Sequence, residues 1–201
     1  MKKVTDYYAK LAKKMGYPAR SVFKLEEIQN KYHIIKKEDA ILDIGAFPGS
    51  WSLYMLKKLH VKGKIVGIDL KNTGGLKKYS NYTYIQGDIT EEKTINLLKN
   101  YGPFNVIISD AAPSTSGNKD LDSLRSLELV RAVVNLAYKA LKEGGNLLIK
   151  LFMSEDASNY LVKTRELFLK TKNFKPKSSR SESREIFFIG FNFKRLNKKN
   201  T

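Results

Sequence analysis

The amino-acid sequence predicts an α/β fold in which a mostly parallel open sheet carries helices on both faces. Three observations predict it. Short apolar runs alternate with helical stretches along the chain, the pattern that βαβ units produce. The loop Gly45-Ala46-Phe47-Pro48-Gly49 follows the first of these apolar runs and leads into a helical pattern, the position at which doubly wound folds bind ligands. At 201 residues with 42% hydrophobic content, the chain has the size of one domain with a full core, so a single domain spanning residues 1–201 is expected.

Val4, Tyr7, Tyr8, Leu11, Ala12 and Met15 recur at three- and four-residue spacing, which predicts an amphipathic helix over 4–15 that Gly16-Tyr17-Pro18 stops. A second helix is expected over 21–31, with Ser21 as its cap and Val22, Leu25 and Ile28 on its apolar side. These two helices make residues 1–37 a basic N-terminal segment. Strands at 40–45, 64–69, 82–86, 104–110 and 146–152 then alternate with helices at 49–60, 91–100, 121–142 and 156–171. The apolar stretch 184–193 has no crossover helix before it, so an antiparallel strand is the easiest solution. Residues 173–183 are left to supply another strand and a turn, and 197–201 read as a frayed tail.

The formal charge is +17, and its distribution matters more than its total. Residues 1–37 carry +7, 38–161 carry +1 and 162–201 carry +9. Basic ends flanking a nearly neutral middle suit a polyanionic partner, RNA or DNA. Lysine-rich solvated ends give the same total, but these ends also carry aromatic and apolar residues at regular spacing, which disordered tails lack. The absence of cysteine excludes disulfides, thiolate metal sites and a cysteine nucleophile. His33 and His60 are too few for a metal cluster or a Ser-His-Asp triad, and no metal is expected. The N-terminus lacks the apolar core of a signal peptide, and no stretch approaches about 18 apolar residues, so no membrane segment is expected. An intracellular, cytoplasmic location is the reading, with a mitochondrion or other organelle as the alternative.

The loop that follows Leu42-Asp43-Ile44 departs from the G-x-G-x-x-G pattern, because Pro48 interrupts the run of amides that would close on a pyrophosphate. S-adenosylmethionine has no phosphate, and its sulfonium and ammonium are cations that call for carboxylates. Asp43, Asp69, Asp88 and Asp110 stand at or just after the ends of four successive strands and would line one rim of the sheet. Asp69 would accept hydrogen bonds from ribose hydroxyls, and Asp88 would take the adenine amino group. A single aspartate at a strand end is as readily a turn former or a cap; four in register point to a site.

Gly144-Gly145-Asn146-Leu147-Leu148-Ile149-Lys150 ends an apolar run with a lysine. Such a lysine is costly unless paired or functional, although it can also snorkel to the surface. Desolvation and a neighbouring cation both favour its neutral form, which would make it a base. A ribose 2′-hydroxyl is a poor nucleophile, so methylating it needs an aligned substrate and removal of its proton.

The chain resembles the FtsJ (RrmJ-like) family of ribosomal RNA 2′-O-methyltransferases over nearly its whole length. The blocks that carry the resemblance are Gly16-Tyr17-Pro18-Ala19-Arg20-Ser21-Val22-Phe23-Lys24-Leu25, the loop 43–51, Ser109-Asp110-Ala111-Ala112-Pro113-Ser114-Thr115-Ser116-Gly117, Leu148-Ile149-Lys150-Leu151-Phe152, and the segment 176–185 ending in Ser183-Arg184-Glu185. The resemblance implies a Rossmann-like methyltransferase fold, with a seven-stranded mixed sheet whose last strand is antiparallel. It also implies a catalytic tetrad of Lys24, Asp110, Lys150 and Glu185, with Lys150 as base and Lys24 as its electrostatic neighbour. S-adenosyl-L-methionine is the implied donor and S-adenosyl-L-homocysteine the product, with implied cofactor contacts at Gly49, Trp51, Asp69, Asp88 and Asp110 and, in the same loop, Gly45 and Pro48. Phe47 replaces a small residue usual in the family, and Ser50 stands where bacterial members have glycine. The Ser50 form also occurs in relatives acting on transfer RNA, whereas the segment 178–185 looks more like the ribosomal RNA enzymes.

RNA is expected to lie across the basic ends, with Lys2, Lys3, Lys10, Lys13, Lys14, Arg20, Lys175, Lys177, Arg180 and Arg184 facing phosphates. The resemblance implies a uridine in large-subunit ribosomal RNA as target, with the ribosomal subunit as a partner and a monomeric enzyme. Three alternatives stand beside this reading. The first is an enzyme of the transfer RNA anticodon loop, the second a non-catalytic RNA-binding ribosome assembly factor, and the third a nicotinamide dehydrogenase, whose phosphate loop is missing here.

Overall fold

The structure is a computed structural model that describes residues 2–72, 76–113, 116–180 and 183–195, with side chains omitted at 2–6 and 119. The expected tail at 197–201 and motif residues Ser114, Thr115, Ser181 and Glu182 lie outside the described residues, as do the side chains of Lys2 and Lys3.

Two helices lead, α1 (Lys2–Lys14) and α2 (Val22–Tyr32), followed by β1 (Ile41–Ile44), α3 (Ser50–Lys57), β2 (Ile65–Asp69) and β3 (Tyr82–Gln86). Then come α4 (Glu92–Lys99), β4 (Phe104–Ser109), α5 (Lys119–Ala140), β5 (Leu141–Phe152), α6 (Glu155–Arg165), β6 (Phe168–Phe174) and β7 (Glu185–Phe193). The seven strands form one sheet in the order β3-β2-β1-β4-β5-β7-β6. β1 to β5 are mutually parallel, and β7 runs antiparallel to both β5 and β6. This is the expected mixed sheet, with the antiparallel last strand.

All four β1 residues and the first four of β2 are buried, as befits parallel strands covered on both faces. Alternation along each strand sends side chains to two cores. Leu42, Ile44, Val66 and Ile68 pack with α4, α5 and α6 on one face, while Ile41, Ile65, Val106 and Ile108 pack with α1, α2 and α3 on the other.

Two expectations are corrected. The helix expected to reach residue 171 stops at Arg165, and β6 starts at Phe168. Leu161, Thr164 and Phe168 keep helical spacing, but Phe168 packs against Gly190 of β7, where an added Cβ would sit 2.6 Å from the ring. Strand pairing thus overrides the local period. Lys170 and Lys172 are exposed along β6, which protects that edge from further pairing. The helix expected to end at 142 ends at Ala140, and β5 begins at once with Leu141 paired to Phe104.

Candidate active site

Between β1 and β4 the strand order reverses, and a crevice of about 570 Å³ opens across the C-terminal ends of β1 to β4, as open α/β sheets dictate. Gly45, Asp69, Asp88 and Asp110 line it, together with Phe47, Leu70 and the Ala111-Ala112-Pro113 turn. Arg125, Glu128 and Leu129 of α5 close the far wall; nothing in the sequence pattern distinguishes them from the rest of a long helix. Gly45 has φ +77°, and an added Cβ would lie 2.6 Å from the Ala111 amide nitrogen. Only glycine lets the β1 and β4 turns approach this closely.

The aspartates divide. Asp69 accepts the backbone N–H groups of Phe47 (3.1 Å) and Lys71 (3.0 Å), and Asp88 accepts the Thr90 amide and hydroxyl through Oδ1. Both therefore form local turns and face the crevice at once. Asp43 does not reach the rim, which corrects the expectation of four carboxylates in register. It lies one residue before the end of β1 on the α3 face, is 1% exposed, and accepts a 2.6 Å hydrogen bond from the Ser52 hydroxyl. Burial first, with the nearby Asp110 and Asp69 charges adding, pushes its carboxyl up to about 7 against the lowering effect of Ser52.

Pro48, Gly49 and Trp51 form the far half of the loop at the start of α3, beside the crevice wall rather than in it. Trp51 is buried against Phe187 and donates its indole N–H to the Ser21 carbonyl at 2.8 Å. Next to it, the buried Ser50 hydroxyl accepts the Ala19 amide at 2.7 Å. Two hydrogen bonds therefore clasp the crevice loop to the turn that launches α2, and Lys24 stands in the first turn of that helix. The sequence did not single out this clasp, because its acceptor and donor atoms on the turn are backbone.

At the side of the crevice the four tetrad residues meet. Lys24 Nζ lies 2.7 Å from Glu185 Oε1 and 4.0 Å from Asp110 Oδ1, and Lys150 Nζ lies 2.9 Å from the same Asp110 oxygen. Lys150 also donates to the Asp110 carbonyl. Each of the four comes from a different element: α2, the turn after β4, β5, and the first residue of β7. Register brings the last two together, since Phe152 pairs with Glu185 and Lys150 with Phe187. Burial alone would raise the Glu185 carboxyl, but the charge of Lys24 and its hydrogen bond outweigh it, so the group is held below the usual carboxylate range. The result is a row of alternating charges, nearly dry, that borders the crevice through Asp110.

Glu27, which the sequence did not single out, accepts the backbone amides of Lys177 (2.7 Å) and Ser178 (2.9 Å). It ties the segment leading to Glu185 onto the helix carrying Lys24. The basic residues flank this assembly. Lys10, Lys13 and Lys14 are exposed on α1, Arg20 is half-buried before α2, and Lys177, Arg180 and Arg184 are exposed before β7.

A family profile described as FtsJ-like methyltransferase matches residues 17–193. The chain is 44% identical over 196 residues to the ribosomal RNA large subunit methyltransferase E of Brachyspira hyodysenteriae, covering 98% of this chain and all of that one. A crystal structure of a ribosomal RNA methyltransferase from Plasmodium falciparum superposes with TM-score 0.77 at 33% identity, covering 88% of this chain and 98% of that one. The MycE methyltransferase of mycinamycin biosynthesis, solved with Mg and SAH, shares the fold at TM-score 0.59 and 16% identity, over 92% of this chain and 54% of its own.

Proposed function

The chain belongs to the FtsJ-like methyltransferase family, and we propose that its tetrad transfers a methyl group to a ribose 2′-hydroxyl of large-subunit ribosomal RNA, a uridine of that RNA being the target. The named relatives at about this identity are ribosomal RNA large subunit methyltransferases along their full length. An RNA of that kind puts the work of the enzyme inside the cell. The single observation that carries the reading is the alternating row Lys150, Asp110, Lys24, Glu185, with contacts of 2.9, 4.0 and 2.7 Å.

The crevice suits S-adenosylmethionine. Its volume lies within the ~300–1,000 Å³ range of small-molecule sites, and its rim carries three carboxylates for a cationic ligand. The close approach at Gly45 leaves backbone rather than side chain on one side. Asp69 would take the ribose hydroxyls, Asp88 the adenine amino group, and Asp110 and the first amides of α3, near Gly49 and Trp51, the methionyl end. Pro48 and the buried Asp43 shape the loop from its far side and from beneath. When bound, this cofactor supplies an electrophilic methyl group on a sulfonium.

The protein's own residues supply the rest. Lys150 lies against Asp110, which lines the crevice, and from there its amine would hold the substrate hydroxyl and accept its proton. One Asp110 oxygen stands between two amines, 2.9 Å from Lys150 Nζ and 4.0 Å from Lys24 Nζ, and so holds Lys150 in place beside the crevice. Glu185 offsets Lys24 and so leaves Asp110 to Lys150 and the cofactor side. Such positioned proton transfer contributes roughly 10²–10⁴-fold to a rate.

Incubating the purified chain with unmethylated large ribosomal subunits, free large-subunit RNA and transfer RNA, then mapping 2′-O-methyl positions, tests the substrate. A single new uridine methylation in large-subunit RNA is expected. Modification confined to the transfer RNA anticodon loop would overturn this choice of RNA.

A further inference from the structure

On the outer side of α2, away from the crevice, lies a second groove of about 640 Å³ between α1, α2 and the end of β6. Its walls include Tyr7, Tyr8, Met15, Phe23, Lys31 and Lys177. Tyr7 is 60% exposed and Met15 39% exposed, so two large apolar surfaces face water on one concave wall. The rings are ordered against each other: Tyr7 meets Tyr8 edge-on at 5.4 Å, and Tyr8 packs on Phe23 at 5.4 Å. None of these rings has a part in the crevice or the tetrad.

We propose that this groove is a stacking site for an unpaired nucleobase of the substrate RNA, flanking the nucleotide held at the tetrad. The inference rests on the RNA-methylating function proposed above and adds a base-binding site to it.

Three features favour a nucleobase over another occupant. The first is charge: Lys31 and Lys177 line the groove, and Lys10, Lys13 and Lys14 are exposed on α1, a distribution that attracts a phosphate backbone. Of the two carboxylates in the lining, Glu27 is committed through both oxygens to the Lys177 and Ser178 amides. The second is surface type, because an exposed ring beside cations is the platform on which single-stranded bases stack irrespective of sequence. Lys31 itself sits 4.9 Å from the Phe174 ring centroid, a cation already accommodated by this aromatic wall. The third is continuity with the reaction site. Phe23 precedes Lys24 on α2, and Lys177 begins the segment that ends at Glu185. Helical rise puts Lys31 roughly 10 Å along the axis from Lys24, within reach of the nucleotides next to the target.

The probe is a fluorescein-labelled, unstructured ribo-oligonucleotide of roughly ten nucleotides, with an otherwise identical strand lacking bases. Its affinity is read by anisotropy for the full chain in the presence of S-adenosylhomocysteine. Tyr7→Ala is expected to weaken binding of the normal strand by about tenfold, and Tyr7→Phe to restore it, since stacking needs the ring and not the hydroxyl. The abasic strand should bind both the unaltered chain and Tyr7→Ala equally weakly. Salt dependence should stay unchanged in Tyr7→Ala, because no phosphate contact is lost. Met15→Ala, at the other end of the wall, gives a second reading should Tyr7→Ala perturb α1, which circular dichroism reports. Unaltered RNA affinity in both variants, or equal losses on normal and abasic strands, would overturn the proposal; the former leaves the groove to a protein partner. Since binding is read without turnover, a chain that binds through Tyr7 and methylates no RNA would sink the enzymatic reading and keep the groove.

Discussion

Two buried carboxylates only a few residues from the same crevice respond to pH in opposite directions. Glu185 is depressed by Lys24, so it contributes stability above the ordinary carboxylate range that is lost as pH falls through its lowered value. Glu185→Gln leaves the 9%-exposed Lys24 side chain with only the longer contact to Asp110. Urea denaturation at neutral pH should show a loss of up to about 3 kcal/mol, and that difference should vanish in acid once the native carboxyl is protonated. Asp43 is raised from 3.8 to about 7. The folded state then holds a proton that the unfolded state has released, so stability falls as pH rises between those values and levels off above 7. Asp43→Asn removes this penalty, and its melting temperature should gain on the unaltered chain from pH 5 to pH 8, by roughly 3 kcal/mol in free energy. A constant difference across that range would mean that Asp43 is ionised throughout.

Helix α2 is the element on which the site depends, because three independent ties fix its position. Ser50 and Trp51 of α3 hold the turn before it, and Glu27 holds the segment that delivers Glu185. Ser50→Gly leaves the Ala19 amide without its acceptor, at a cost of about 1–2 kcal/mol, and lets Lys24 shift relative to Asp110. The expected result is a lower kcat with cofactor Kd unchanged in calorimetry, and Ser50→Thr should recover part of it. Loss of cofactor affinity alone would assign Ser50 to the crevice loop and not to α2. Elements of this kind were only partly legible in the sequence. α2 itself follows from the spacing of Val22, Leu25 and Ile28, although Ser21 at its start makes no side-chain capping hydrogen bond, contrary to the cap expected of it, and the ties use backbone amides and carbonyls that any sequence possesses. The same limit explains β6, where Leu161, Thr164 and Phe168 keep a helical period and only the distant Gly190 makes room for a strand.

Across the molecule, basic segments stand at both ends of a chain whose middle is nearly neutral. Affinity for RNA should therefore fall steeply with salt, and replacing Lys13, Lys14, Lys177 and Arg180 by alanine should reduce the log–log slope by roughly 3–4 while cofactor affinity holds. The parallel order of β1 to β5 was legible from alternating apolar and helical runs, and the crevice from where strands end. Asp69, Asp88 and Asp110 could be placed on its rim because a strand end fixes where an adjacent residue lies. Asp43 could not, because one residue of register reverses the face a side chain takes. Lys150 announced itself as a charge ending an apolar strand, whereas Lys24 and Glu185 lie far apart in the chain and only the family pattern joined them to it. Whether these four act together is decided by methyl transfer to large-subunit RNA from labelled S-adenosylmethionine, comparing the unaltered chain with Lys150→Ala in preparations that bind RNA and cofactor equally. The expected result is a fall in single-turnover rate of roughly 10²-fold or more with binding intact; an unchanged rate would contradict the role of Lys150 as base and of the tetrad as the reaction centre.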